Sequence, residues 1–428
     1  MAWSLVKVTE LPLGKRVLSI GSKGRDVQEL QELLSRAGFY FGAWDGVFGL
    51  LTKEALVLFQ KTFNLRIDGI AGPEVIKALK KTPYRCGRIV YTLKKHENLD
   101  TVSKKFAVKE SAWKVLPGQG NRSLKAYPGL KVLLYEKALL DWEESGTSSG
   151  SGITALITPD YMINGSGELI RQSEVITQGL FHLIGVKSED WSGLLSSPKA
   201  WSGLAKSLTM LNREKVGLDF RTAPVAKIAR WIAFLKFLRL HAKPAAFSFL
   251  VLPFLPAVPK LESQLYWLNL ATFADFSRIL LLEPEYNLDS PQKFESSAIK
   301  FLKDIKLLRE KGLGDKSYLV CRAGGWVWDL EQNQLRQVTY KEAKLIRAWN
   351  FRSARYSSEL MFTVLRYTSK KSAYCLIYRD EEGWRDFLNL IIRMNLPGLA
   401  IRNFSEFGKA GPEIIAGSFK VLSSQNLE

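Results

Sequence analysis

The sequence predicts a multidomain chain: a small all-α three-helix bundle, a small α+β module and a large α/β domain of the (β/α)8 TIM-barrel type. Three observations carry this. Glu144-Ser145-Gly146-Thr147-Ser148-Ser149-Gly150-Ser151-Gly152 has no core-forming residue and separates residues 1–141 from 153–428. Beyond it, short apolar runs alternate with longer amphipathic stretches over about 275 residues, the pattern and size of a parallel α/β barrel. Ahead of it, Asp45-Gly46-Val47-Phe48-Gly49 recurs as Asp68-Gly69-Ile70-Ala71-Gly72, each copy followed by helical spacing. The expected divisions are an N-terminal segment 1–17, the bundle 18–83, the α+β module 87–136, a linker 137–152 and the barrel 153–428.

A hydrophobic content of 46% and a charged content of 24% describe globular domains rather than a disordered chain. The net charge of +19 is uneven: residues 1–141 hold 24 Lys+Arg against 13 Asp+Glu, and the rest hold 37 against 29. The front modules are the more basic per residue, which favours an anionic partner there. No recognition helix, zinc-finger spacing or aromatic RNA-binding signature accompanies the charge, so nucleic acid is not expected. Cys86, Cys321 and Cys375 stand far apart without a CxxC pair, which predicts buried thiols and no metal or other cofactor. The start lacks the basic and apolar regions of a signal peptide. The run from Phe247 to Val258 is broken by Pro253 and Pro256 and is too short to span a bilayer, so no membrane span is expected.

In the bundle, Val27, Leu30, Leu33 and Leu34 fall at helical spacing, as do Ala55, Leu58, Phe59 and Phe63. Asp-Gly pairs supply the turns between helices. The series Ile20-Gly21-Ser22-Lys23-Gly24, Val27, Leu30-Gln31, Leu34, Gly38, Gly42 and Phe59-Gln60 around these loops resembles the peptidoglycan-binding domain of wall hydrolases. That resemblance implies a shallow groove for wall peptide or glycan beside Asp45, Gly46, Phe48, Gly49, Asp68, Gly69 and Gly72.

Residues 88–135 open with a strand, Ile89 to Leu93, pass through a helix with Leu99, Val102 and Phe106, and close with a strand from Tyr127 to Leu134. A strand–helix–helix–strand unit of this length resembles LysM, a module that grips N-acetylglucosamine-containing glycans. His96-Glu97-Asn98-Leu99 departs from that family's Gly-Asp-Thr-Leu, and His96 reads as a solvated turn residue.

The expected barrel strands are Ile153–Thr158, Val175–Val186, Val216–Phe220, Ala246–Leu252, Arg278–Leu282, Tyr318–Cys321, Met361–Arg366 and Leu399–Arg402. Helical patterns lie between them at Val225–Leu240, Glu262–Phe276, Phe294–Lys311, Lys341–Ala348 and Gly383–Met394. Gly217-Leu218-Asp219-Phe220-Arg221, Arg366-Tyr367-Thr368, Ile377-Tyr378-Arg379-Asp380 and Leu396-Pro397-Gly398-Leu399-Ala400-Ile401, in this order behind wall-binding modules, resemble a family-18 glycoside hydrolase of the spore cortex-lytic and spore-germination type.

In that family the fourth strand carries Asp-x-x-Asp-x-Asp-x-Glu, whose Glu is the general acid and whose last Asp orients the substrate's N-acetyl group. The four positions here are Glu214, Gly217, Asp219 and Arg221. An arginine stays protonated and can neither give nor take the proton that glycoside cleavage requires. The family's terminal tryptophan is also missing, with Ile401-Arg402-Asn403-Phe404 in its place. Glu283 and Glu285 are either substitute acids at the barrel mouth or loop carboxylates that pair with Arg221. Tyr367, Tyr378 and Asp380 either line a saccharide cleft or pack at the barrel edge, and Trp326 and Trp328 either stack on a sugar ring or lie in the buried core. His182 and His241 belong to no catalytic or metal-ligand spacing.

These readings converge on a peptidoglycan-binding protein of cell wall or spore cortex with a degenerate, non-hydrolytic barrel, with spore-coat or wall proteins as further partners. The alternative is an active glycosidase working through a relocated carboxylate. The resemblance implies a spore or wall location; without it, the missing signal peptide points to the cytoplasm.

Overall fold

The structure is a computed structural model that describes residues 11–37, 39–40, 44–63, 65–81, 88–115, 128, 130–142, 153–172, 181–211, 215–242, 247–254, 261–273, 276–284, 286–310, 313–314, 316–369, 372–394 and 396–422. It divides into two compact units between residues 137 and 138, with 415–420 joining the first.

In the first unit, helices span Arg25–Arg36, Leu50–Thr62 and Pro73–Lys81, as the apolar spacing predicts. Val27, Leu30, Leu34, Leu56, Phe59, Ile76 and Leu79 form one core. The two Asp-Gly loops are copies in structure as well as in sequence. Gln31 Nε2 donates to Asp45 Oδ1 (2.9 Å), and the Gly46 N–H donates back to Gln31 Oε1 (3.0 Å). Gln60 Nε2 donates to Asp68 Oδ1 (2.8 Å), and the Gly69 N–H donates to Gln60 Oε1 (2.9 Å). Both glutamines are fully buried. Each Asp oxygen also accepts the amide two residues on, from Val47 or Ile70, which closes an Asx turn. Gly46 and Gly69 both sit at φ 70°, a conformation strained for any side chain.

Strand Arg88–Thr92 pairs antiparallel with the front of a long strand, Lys131–Trp142, and Trp113–Val115 pairs with that same strand. The helix Leu99–Phe106 starts at a capping box: Asn98 Oδ1 accepts the Thr101 N–H (2.8 Å), and the Asn98 N–H donates to Thr101 Oγ1 (3.0 Å). The divergent His96–Leu99 stretch therefore still starts a helix, with His96 an exposed turn residue at φ 70°. A 3-10 turn covers Glu110–Ala112; residues 116–127, where a second helix would continue, lie outside the described residues.

The second unit is a closed barrel of eight parallel strands: the end of Lys131–Trp142, then Ala155–Ile163, Phe181–Val186, Val216–Asp219, Phe247–Phe254, Ser277–Pro284, Ser317–Arg322 and Gly398–Arg402. The last strand pairs with the first, Gly398–Arg402 against Ala138–Trp142. Alternate residues fill the interior, among them Leu140, Ile157, Leu183, Val251, Leu281 and Val320.

Two expectations are corrected here. The segment Met361–Arg366 is not a barrel strand, because Phe362–Ser369 sits in a separate five-stranded antiparallel sheet with Gln334–Val338, Gly325–Asp329, Ser372–Tyr378 and Ala354–Ser357. Its hairpin to Ser372–Tyr378 gives the antiparallel register. The remaining barrel strand is Ala138–Trp142, in the stretch where the sequence predicts the front of the linker. Asp141 disguised it: this carboxylate is fully buried, and its Oδ1 accepts the Phe404 N–H at 3.0 Å.

The glutamine-clamped loops carry a prediction. Gln60→Ala orphans the Gly69 amide and should lower the stability of the first unit by about 1–3 kcal/mol in urea unfolding. An unchanged midpoint would mean that the clamp does not hold the loop.

Candidate functional site

Catalytic groups of such barrels gather at the C-terminal ends of the strands. Here those ends carry charge. Asp219 ends the fourth strand, Glu283 lies one residue from the end of the sixth, and Arg322 and Arg402 end the seventh and eighth as register partners. Trp142 ends the first strand opposite Arg402.

Arg221, two residues past the fourth strand, folds back onto this ring of groups. Its Nε donates to Asp219 Oδ1 (3.0 Å), its Nη2 to Asp219 Oδ2 (2.7 Å), and its Nη1 to Glu283 Oε2 (2.6 Å). The other Glu283 oxygen accepts from Arg402 Nη1 at 2.7 Å. The Arg221 guanidinium also lies 4.5 Å from the centre of the Trp142 ring, a cation–π contact. Side-chain exposure is 26% for Arg221, 11% for Asp219 and 21% for Glu283, so these are largely desolvated charges.

Burial alone would lower the Arg221 pKa; the hydrogen bonds and charges of Asp219 and Glu283 outweigh it and leave it raised. Burial raises the Glu283 carboxyl, with the Arg221 charge opposing the shift. Burial lowers the Arg402 guanidinium. Arg221 is thus a cation held between two carboxylates. The two carboxylates beside it are occupied as acceptors.

Gly217 has a steric role. A Cβ built on it would meet the Phe249 ring at 2.3 Å, so the space of a motif aspartate is filled by a phenyl group from the next strand. Glu214 and Glu285 lie outside the described residues. Of the two substitute-acid candidates, Glu283 lies among the described residues; it stands at the barrel mouth and pairs with Arg221.

The aromatic candidates belong to the antiparallel sheet. Trp326 and Trp328 are buried in its core with Phe294 and Phe362. Trp328 Nε1 donates to the Leu288 carbonyl (2.9 Å). Tyr378 is fully buried, and half-buried Tyr367 stacks on Tyr374 at 5.3 Å. Asp380 caps the helix Glu381–Arg393 through the Gly383 amide and pairs with Arg347 at 2.9 Å. In the first unit Phe48 is core, while Gly49 and Gly72 each stand before a helix. The Asp68 carboxyl is held below its ordinary range, chiefly by the Ile70 amide. Around the loops stand exposed apolar side chains that sequence reading took no account of: Val47, Leu50, Leu51, Ile67 and Ile70.

Sequence reading also passed over Trp142, Arg322, Arg379 and the clamping role of Gln31 and Gln60. The usable signal for Arg322 and Arg402 is that each closes an apolar strand run, where barrels keep functional groups. Among the described residues, no cluster of His, Cys, Asp and Glu could hold a metal ion, and no helix is long and apolar enough to cross a membrane.

The Phe249 contact generates a prediction. Gly217→Asp should destabilise the barrel by about 3 kcal/mol or more, through overpacking and a buried charge. Phe249→Ala in the same chain should recover part of the loss, and additive effects in denaturant unfolding would contradict the contact.

Residues 23–79 match the family model described as a putative peptidoglycan binding domain. A spore cortex-lytic enzyme of Bacillus cereus is 47% identical over 66 residues, which are 15% of this chain and 26% of that protein. The match thus spans about a quarter of that relative's length. The spore cortex-lytic enzyme SleL of Bacillus cereus superposes with a TM-score of 0.55 at 12% identity, over 96% of this chain and 99% of that one. SleL of Bacillus megaterium gives 0.53 at 15% identity over 78% and 87%, and a chitinase from Chromobacterium violaceum gives 0.53 at 13% over 66% and 98%. Residues 23–79 thus form a domain of the peptidoglycan-binding family, in a chain whose eight-stranded barrel has the fold of the spore cortex-lytic SleL enzymes and of chitinases.

Proposed function

We propose that this chain is a peptidoglycan-associated protein of the cell wall or spore cortex whose barrel binds without hydrolysing. The observation that carries the reading is the Arg221 guanidinium at the general-acid position, ion-paired to Asp219 and Glu283. Loss of a general acid forfeits about 10²- to 10⁴-fold in rate. A fixed cation in that place also opposes the positive charge that develops on the sugar ring during cleavage. Asp219, which by resemblance would orient the substrate's acetamide, spends its oxygens on Arg221 instead.

Attachment is assigned to the peptidoglycan-binding domain, whose Asp-Gly loops carry exposed Val47, Leu50, Leu51, Ile67 and Ile70. The LysM-like segment 88–135 supplies a second weak grip. On a repeating polymer, tethered weak sites reinforce one another through effective concentration. Spore-coat or wall proteins are the other partners this location offers.

A second reading has one observation in its favour. Burial raises the Glu283 carboxyl, as a catalytic acid requires. Against it, both Glu283 oxygens already accept from guanidinium groups.

The test incubates the purified full chain with spore cortex and with vegetative sacculi. Co-sedimentation without released reducing ends is expected, and release that vanishes on Glu283→Gln would establish the glycosidase instead. Removal of residues 1–81 should strongly weaken sedimentation, whereas Arg221→Ala should leave it intact. A truncation must stop short of residue 138, because Ala138–Trp142 is the first barrel strand.

A further inference from the structure

Between the seventh and eighth barrel strands the chain inserts the antiparallel sheet, and the helix Tyr340–Trp349 within that insertion leaves an apolar face uncovered. Its inner face is set by Tyr340 and Ala343, both buried, with the Tyr340 ring 4.9 Å from that of Phe407. At about 100° of turn per residue, Lys341, Leu345, Ala348 and Trp349 share an arc of about 100° on the other side. All four are exposed, Leu345 at 53% and Trp349 at 86%. Phe351, two residues beyond Trp349, is 66% exposed. Single exposed apolar residues are ordinary, but here three large ones stand within seven residues of chain. Trp326, Trp328 and Trp384, between the same two barrel strands, are buried, whereas Trp349 has no ring against it among the described residues.

The free charges beside this face are cations. Lys344 pairs with Glu381 and Arg347 with Asp380, each at 2.9 Å. Lys341, on the uncovered face, and Arg352, whose guanidinium lies 5.7 Å from the Phe351 ring centre, make no ion pair among the described residues. A complementary occupant offers apolar groups to Leu345, Ala348 and Trp349 and negative charge to Lys341 and Arg352. A second copy of this chain would set the same cations against themselves across a two-fold axis. A peptidoglycan strand meets both demands. Its pyranose rings present a C–H face to an indole, its acetamido, lactyl and alanine methyls are apolar, and its stem peptides carry free carboxylates.

We propose that this helix face is a peptidoglycan-binding platform, with the Trp349 ring stacked on a sugar and Lys341 and Arg352 set against stem-peptide carboxylates. The identity of the occupant rests on the peptidoglycan reading above; the exposed ring and its flanking cations do not. The platform uses none of the ion-paired groups of the barrel mouth, so the barrel unit has its own grip on the polymer.

The experiment measures binding of the full chain to purified sacculi by co-sedimentation over a range of protein concentrations. Trp349→Ala should weaken it by about three- to tenfold, as loss of one of several tethered sites does, and Trp349→Phe should weaken it less. Because the side chain is largely exposed, the unfolding midpoint of either variant should match the parent's. Lys341→Glu combined with Arg352→Glu should also weaken binding, most at low salt. A parent that sediments and a Trp349→Ala variant that sediments equally well would overturn the platform and leave the peptidoglycan reading standing. A parent that does not sediment would overturn that reading and the platform with it. Anionic phospholipid vesicles and sedimentation velocity of the protein alone test the other occupants. Vesicle binding or dimerisation that is lost in Trp349→Ala, with sacculus binding unchanged, would give the face to a membrane or to a second copy instead.

Discussion

Everything distinctive about this barrel depends on one guanidinium. Arg221 spans two carboxylates that would otherwise face each other in a largely desolvated site, and it rests against the Trp142 ring. Removing one member of such a buried set typically costs about 3–5 kcal/mol, because the remaining charges lose their partner. The cluster ties the fourth, sixth and eighth strands together through side chains alone. At the mouth, the carboxylates of Asp219 and Glu283 both accept from guanidinium groups.

Position 217 has yielded its space to Phe249, position 221 carries the cation, and the end of the eighth strand presents Arg402 to Glu283. Restoring an acid at 221 alone would therefore leave a phenyl group and a second arginine in the site.

The fold was largely legible from the chain. Helical spacing located the bundle, and seven of the eight barrel strands followed from apolar runs buried on both faces. The first barrel strand was not legible, because Ala138–Trp142 contains a buried aspartate and runs into a Gly/Ser stretch. Phe362–Ser369 was misplaced because an apolar run does not say whether its partner strand is parallel or antiparallel. Of the site, Asp219, Arg221 and Glu283 were visible as types at strand ends, and pairing with Arg221 was foreseeable from charge. Trp326, Trp328 and Tyr378 were ambiguous, since an aromatic that floors a sugar and one that fills a core look alike in sequence. Arg322 and Arg379 do not stand out as site residues in the sequence, because an isolated arginine carries no pattern until the fold brings others near it.

The most direct measurement is a double-mutant cycle on Arg221→Met and Glu283→Gln, read as unfolding free energy of the full chain. A coupling of about 1–3 kcal/mol is predicted, the double variant being far less destabilised than the sum of the single ones. Coupling below about 0.5 kcal/mol would mean that the two side chains are independent, and the cluster would not be what ties the strand ends together.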